Sequence, residues 1–303
     1  MNYSFLDHRK KYNFQDKNFT TLDDMGSVTK KVTNFYSVAP FPNYNDYDDI
    51  SSLTDKIEKN IFLKNFKKNI GFGKKIIEVG SGTSQLSLML AHSTNNEVVA
   101  LDPTYESLKL GHDFSKKNNI ENCFFLNADL FEVSLRHEYF DYVWCSGVLH
   151  HTKNPKLGYK TITKWLKPNG IIIVGLYNRY GRFRTVFRQF VSKFFGFGII
   201  NFIDPYLRNN ISTSKKNAWL RDQYLHPVES LHTIDEVLGW FKEENITFLN
   251  SIPTSDLENF KYESMFERTS PGNRLSRILA QIGMIFSPLG AEGGLFLVIG
   301  RKN

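Results

Sequence analysis

The stretch IIEVGSGTSQLS at residues 76–87 decides how the rest of the chain is read. Two β-branched residues lead into Glu78, Gly80 and Gly82 frame a tight turn, and Ser84 stands where a further glycine would fit. Such a turn ends a strand and opens a helix, and in an open α/β sheet ligands gather at the carboxyl ends of the strands. The free backbone N–H groups at the start of that helix are expected to face the ligand. A dinucleotide fingerprint, G-x-G-x-x-G, needs its last glycine at position 85, which is Gln85. That reading loses a required residue. The pattern present is acidic-x-G-x-G, made by Glu78, Gly80 and Gly82.

Outward from the turn, short β-branched runs alternate with helical patterns between residues 74 and 176. Strands are expected at 75–79, 97–101, 123–127, 142–145 and 171–176, with helices near 85–92, 106–118 and 156–166. This alternation specifies parallel strands joined by crossover helices. Further on, Thr233 caps a helix at 233–242 with Glu236 in the reciprocal capping position, strands are expected at 246–252 and 294–301, and a helix pattern occupies 274–286. The expected fold class is α/β: a doubly wound, Rossmann-like, seven-stranded sheet of five parallel strands plus a C-terminal strand pair. Insertions follow strand 5 and separate strands 6 and 7. The chain divides into an N-terminal strap (1–45), the ligand-binding core (46–176), a basic and aromatic insertion (177–232), and a completion of the core (233–303) holding a second insertion at 255–292. Pro40 and Pro42 rule out a continuous helix in VTNFYSVAPFPNYND, which reads as extended and packed.

At 303 residues, with 41% hydrophobic and 15% aromatic content, the chain is able to bury a substantial core. Its net charge of +7 carries little weight by itself, because lysine-rich soluble proteins reach such values without nucleic acid or membrane partners. No run approaches the roughly 20 apolar residues that span a bilayer, and the opening stretch lacks the apolar core of a secretory signal. A cytoplasmic location is the expectation. Cys123 and Cys145 have neither zinc-type spacing nor a disulfide framework and sit in apolar segments, as structural thiols do.

Three further stretches follow the turn in order. Asp102 ends the second strand in VVALDPTYESL, placed for a carboxylate to accept both hydroxyls of a ribose, and Ala128 and Asp129 end the third in FLNADLFEV. FDYVWCSGVLHHTKNP and LKPNGIIIVGLY carry the fourth and fifth strands. With this ordered set, residues 74–176 plus the final helix and strands resemble the class I S-adenosylmethionine-dependent methyltransferases. The resemblance implies S-adenosylmethionine as methyl donor, held by Glu78, Gly80, Gly82 and Asp102, with Asp129 taking the adenine amino group. Asp129 has a second reading, as the cap of a short helix. Ser84 departs from the family's frequent third glycine, but a small residue still permits close packing. The resemblance also suggests that the N-terminal segment closes over the donor, with the Tyr36 ring or hydroxyl near the sulfonium. Tyr36 reads equally well as core cover, and Phe35, Phe41 and Tyr44 read as residues that simply cover an edge of the core.

On the acceptor side, His150 and His151 follow the fourth strand and are candidate general bases for a hydroxyl acceptor. Adjacent histidines point in different directions, so at most one reaches a substrate. Tyr177 and Arg179, with His226 and Glu229 in LRDQYLHPVESLHT, are candidate acceptor contacts. The histidine spacing there, interrupted by Pro227, does not form a metal motif. The run GLYNRYGRFRTVFRQFVSKFFGFGIINFIDPYL sets Arg179, Arg182, Arg184, Arg188 and Lys193 among aromatics. It serves as a lid over a small acceptor, as a contact with an anionic lipid surface, or as an RNA surface; a buried helix with a solvated basic face is the plainer alternative. The function expected is methyl transfer to oxygen or nitrogen of a small molecule. RNA or lipid methylation and a non-catalytic S-adenosylmethionine-binding protein are the alternatives.

Overall fold

The computed structural model describes residues 3–7, 9–38, 40, 44, 49–209, 213–286 and 294–303. In chain order the elements are β1 (Asn13–Asp16), β2 (Phe19–Thr21), α1 (Ser27–Ser37), α2 (Ile50–Lys59), α3 (Ile61–Ile70), β3 (Lys75–Val79), α4 (Gln85–Ala91), β4 (Glu97–Asp102), α5 (Tyr105–Lys117), β5 (Cys123–Asn127), β6 (Phe140–Ser146), α6 (Pro155–Trp165) and β7 (Leu166–Tyr177). Then come α7 (Phe183–Phe195), α8 (Ile200–Ile203), α9 (Thr213–Tyr224), α10 (Ile234–Glu243), β8 (Ile246–Ile252), α11 (Arg274–Phe286) and β9 (Leu295–Lys302).

These strands make one mixed sheet in the order β1-β2-β5-β4-β3-β6-β7-β9-β8. The run from β2 through β7 is parallel, while β9 lies antiparallel between β7 and β8. The expected seven-stranded sheet is therefore corrected to nine strands among the described residues. Two short N-terminal strands extend it, and β2 pairs in parallel with β5 through Phe19, Thr20 and Thr21. The extended strap also needs correction: residues 27–37 form α1. Pro40 lies beyond its last turn and marks where the helix stops, rather than forbidding it.

Interior strands are apolar on both faces because helices cover both. On one face Ile77, Val99, Val143 and Val174 meet Ile162 and Trp165 of α6 and Phe241 of α10. On the other, Ile76, Val98, Phe125 and Trp144 meet Phe66 of α3, Leu88 of α4 and Leu108 of α5. Helix starts follow local chemistry. The Asn154 side chain caps α6 ahead of Pro155, and Thr233 and Glu236 form a complete capping box on α10. Cys123 and Cys145 are buried free thiols within these cores.

Candidate active site

The glycine turn carries β3 into α4 with Gly80 at φ +71° and Gly82 at φ +52°. A side chain at Gly80 has no room, since its Cβ would stand 2.2 Å from Val148 Cγ2. The N–H groups of Gly80 and Ser81 donate to the Leu101 carbonyl at 2.7 and 3.0 Å, and that of Gly82 donates to Asp102 Oδ2 at 2.8 Å. Contrary to expectation, these donors are not free for a ligand: they tie the turn to the end of β4. Ser84 is the N-cap of α4 in the left-handed region, φ +61° and ψ +26°, a conformation that costs a non-glycine residue roughly 1–2 kcal/mol. Its position is crowded by α5, whose Gly111 permits the approach: a Cβ there would meet Thr83 O at 2.7 Å and Ser84 Cβ at 2.9 Å.

A cavity of about 810 Å³ opens beside this turn. Four buried carboxylates line it. Glu78 Oε2 accepts from Ser87 N at 2.9 Å and Ser87 Oγ at 2.5 Å, yet burial pushes its pKa up to about 8. Asp102 accepts from Thr104 N through Oδ1 and from Gly82 N through Oδ2, and burial again raises its pKa against those bonds. Asp129 Oδ1 accepts from Phe131 N and Oδ2 from Gly26 N, both at 3.0 Å, so it fastens its own turn and the approach to α1. Asp222 is the fourth. Among the described residues lining the cavity, Lys56 is the only lysine or arginine.

The far wall converges from distant parts of the chain. Tyr36 Oη donates to Asp222 Oδ1 at 2.6 Å, and Gln223 Nε2 donates to Asp222 Oδ2 and to Tyr177 Oη, both at 2.9 Å. Behind them Arg182 has no exposed surface. Its guanidinium lies 3.8 Å from the centre of the Tyr177 ring, pairs with Glu229 at 2.7 Å, and donates to the side chain and carbonyl of Gln223. Glu229, expected at the acceptor, is instead the counter-ion of Arg182. The basic run is corrected at the same point, because Arg182 is not a surface cation.

His151 lines the cavity and His150 does not. The His150 ring is fully buried, stacked near Tyr177 with neither ring nitrogen hydrogen-bonded, and burial holds its pKa well below the usual histidine value. His151 Nδ1 lies 2.7 Å from the Val228 carbonyl, which accepts only, so Nδ1 carries the proton and Nε2 the lone pair. Burial likewise keeps this ring neutral. His226 stacks on His151 with ring centres 3.6 Å apart and stands behind the wall, while Arg179 is exposed and 3.9 Å from Glu236. Among the described residues no cluster of metal-ligating side chains occurs. Phe35 packs against Tyr36, Tyr44 stacks on Phe114, and Phe41 lies outside the described residues.

Sequence reasoning did not select Asp222, Gln223 or Arg182. The remaining lining is largely apolar: Ile57 and Phe62 from α2 and α3, Trp144 from β6, Ile252, Tyr262 and Leu297. S-adenosylmethionine, a cation with ribose hydroxyls, fits the end of the cavity where Glu78 and Asp102 meet the crowded glycine turn.

Comparison with known proteins supports this fit. Residues 70–215 match the family model described as a methyltransferase domain. That stretch is just under half of the chain, and over it the chain is similar to methyltransferases. An uncharacterised protein of Synechococcus is 23% identical over 63% of this chain and 51% of its own length. The ubiquinone biosynthesis O-methyltransferase of Haemophilus ducreyi is 29% identical over 37% of this chain and 49% of its own length. The chain spans about half the length of these curated relatives. Among solved structures, PKMT2 from Rickettsia typhi in complex with AdoHcy superimposes with a TM-score of 0.57 at 14% identity, covering 80% of this chain and 54% of that one. At that identity the likeness describes the fold alone.

Proposed function

We propose that this chain transfers a methyl group from S-adenosylmethionine to an oxygen or nitrogen of a small acceptor with a substantial apolar body. One observation carries the reading: a single cavity is lined both by the carboxylates Glu78, Asp102 and Asp129 beside the glycine turn and by Ile57, Phe62, Trp144, Ile252, Tyr262 and Leu297. The carboxylates suit a donor with ribose hydroxyls. The apolar lining favours a ring or hydrocarbon and excludes water from the reacting centre.

When bound, S-adenosylmethionine supplies a methyl group on a positively charged sulfur, which keeps the bonding electron pair as the carbon–sulfur bond breaks. The protein's share is alignment, desolvation and handling of the acceptor's proton. In this reading Asp102 and Glu78 hold the donor, Asp129 borders its adenine end, and Tyr36 and Asp222 shape the wall opposite. His151, neutral with Nε2 unprotonated, takes the proton from a hydroxyl acceptor as the new bond forms. The O-methyltransferases among the relatives agree with a hydroxyl acceptor.

The test is methyl transfer from labelled donor into a cell extract, followed by counting the acid-soluble, lipid, RNA and protein fractions. Label in organic-extractable small molecules is the expected result. Label confined to RNA or protein rejects the acceptor class, and no transfer despite donor binding by calorimetry rejects catalysis. With a hydroxyl acceptor, His151→Gln should lower kcat by roughly 10²–10⁴-fold with little change in donor affinity. Unchanged kcat removes His151 from proton transfer.

A further inference from the structure

Helix α7 is amphipathic but packs the wrong way round for a core helix. It buries Thr185 and Ser192 and leaves a phenylalanine face outward. Phe183, Phe187, Phe190, Phe194 and Phe195, with Phe202 on α8, are 56–75% exposed. Positions 183, 187, 190 and 194 recur at four, three and four residues, so they form one stripe along the helix. The inward face is held by polar contacts to α9 and its surroundings: Arg188 Nη1 donates to Tyr224 Oη at 3.4 Å, and Gln189 Nε2 to the Gln223 carbonyl at 3.4 Å. The orientation is therefore fixed by the same buried network that walls the cavity.

Charge identifies what this face meets. Between residues 178 and 221 the sequence has nine Lys and Arg against one Asp, a charge of +8 beside +7 for the whole chain. The remainder of the protein is close to neutral. That one acid, Asp204, is buried and accepts from Trp219 Nε1 and Tyr224 Oη. Arg184, Lys193 and Arg208 are exposed around the aromatic stripe.

We propose that the α7–α8 face docks on an anionic lipid bilayer, phenylalanines inserted among the acyl chains and the flanking cations at the headgroups. A helix of 13 residues, about 20 Å long, suits lying in the interface plane. No described helix is long and apolar enough to cross a membrane, so the contact is peripheral. A second copy of the chain is a poor occupant, because symmetric pairing sets the exposed Arg184, Lys193 and Arg208 of one copy against those of the other. Nucleic acid fits less well too. Gln189 faces Gln223 and Ser192 is buried, so α7 turns phenylalanine, valine and cations outward with no amide or hydroxyl among them. Docking stands apart from methyl transfer, although α7 begins six residues after Tyr177 of the cavity wall and would hold that wall near a lipid-dissolved acceptor.

The experiment uses the full chain without methyl donor, in co-sedimentation with vesicles of phosphatidylcholine alone and of phosphatidylcholine mixed with phosphatidylglycerol. The expected result is binding to the mixed vesicles, at least tenfold weaker on phosphatidylcholine alone and at high salt. The triple variants Phe187→Ser/Phe190→Ser/Phe194→Ser and Arg184→Gln/Lys193→Gln/Arg208→Gln should each lose at least tenfold in affinity with Tm unchanged, since every substituted side chain is solvent-exposed. Absence of binding to the mixed vesicles overturns the proposal, as does binding that the phenylalanine variant leaves intact. Dimerisation in light scattering that this variant abolishes would assign the face to a second copy. Single-stranded RNA binding that it abolishes, without vesicle binding, would assign the face to nucleic acid.

Discussion

The cavity has two walls built on different principles. The donor wall is local: residues 78–87 and Asp102 lie on adjacent strands, and backbone donors with two carboxylates hold the turn. The opposite wall takes Tyr36 from α1, Tyr177 from β7, Asp222 and Gln223 from α9, and the Arg182–Glu229 pair from two loops, joined by side-chain hydrogen bonds. A wall made by backbone geometry tolerates most side-chain changes but not a Cβ at Gly80. A wall made by side chains depends on each one, and its centre is a buried guanidinium.

The comparison breaks first at Arg182. Arg182→Leu leaves Glu229 and Gln223 without their donor, and loss of one partner of a buried pair costs about 3–5 kcal/mol. The low end applies here because Glu229 keeps 19% of its side-chain surface exposed. The expected result is a urea midpoint lowered accordingly; a change under ~1 kcal/mol would show that the far wall is not held by this pair. On the donor wall, Asp102→Ala should weaken S-adenosylmethionine binding by about 1–3 kcal/mol in calorimetry and cost less stability than Arg182→Leu, although the N–H groups of Gly82 and Thr104 lose their acceptor. Equal donor affinity would remove Asp102 from the site.

The walls also differ in the sign of their response to pH. Glu78 has its folded pKa raised to about 8 by burial, so the folded state holds the extra proton between the ordinary carboxylate range and 8. Its contribution is present in acid and lost as pH rises towards and past 8. His150 and His151 are depressed, so only the unfolded state gains their protons, and stability falls as pH drops below about 6.5. Melts of the ligand-free protein should peak near pH 6 to 7, where both limbs meet. Glu78→Gln should flatten the alkaline limb, and His150→Phe should make the acid limb shallower. If either variant shifts the whole curve without changing its slope, that assignment fails. The smallest effect is expected at Tyr36: Tyr36→Phe removes the bond to Asp222 and should cost about 1 kcal/mol in thermal unfolding.

What the sequence could show follows the same division. Strands at 75–79, 123–127 and 246–252 and the helix at 274–286 were readable to the residue, because continuous apolar runs and helical periodicity are local signals. So was the Thr233–Glu236 capping box. The glycine turn was readable as a motif, but not the engagement of its N–H groups with Leu101 and Asp102, which needs the neighbouring strand. Strands β1 and β2 escaped notice because NFQD and FTT are too short to show alternation and become strands by pairing at the β5 edge. Arg182 looked like one more cation in a basic run. Only three-dimensional closure brings Glu229, 47 positions away, against it. Periodicity marked α7 as two-faced without saying which face turns inward.

The bond between Tyr36 and Asp222 also sets an order in time. It joins positions 186 apart, as does the bond from Arg221 to the Phe35 carbonyl. Helix α1 has no fully buried residue to hold it in place by itself. At translation rates of 5–20 residues per second, roughly ten to forty seconds separate synthesis of its tyrosine from synthesis of the aspartate that receives it. During that interval the donor wall, whose parts lie within residues 78–148, is already emerged and able to form. The order of synthesis therefore makes the residues of the methyl-donor end available first, and the bonds of the far side require α9 to have been made.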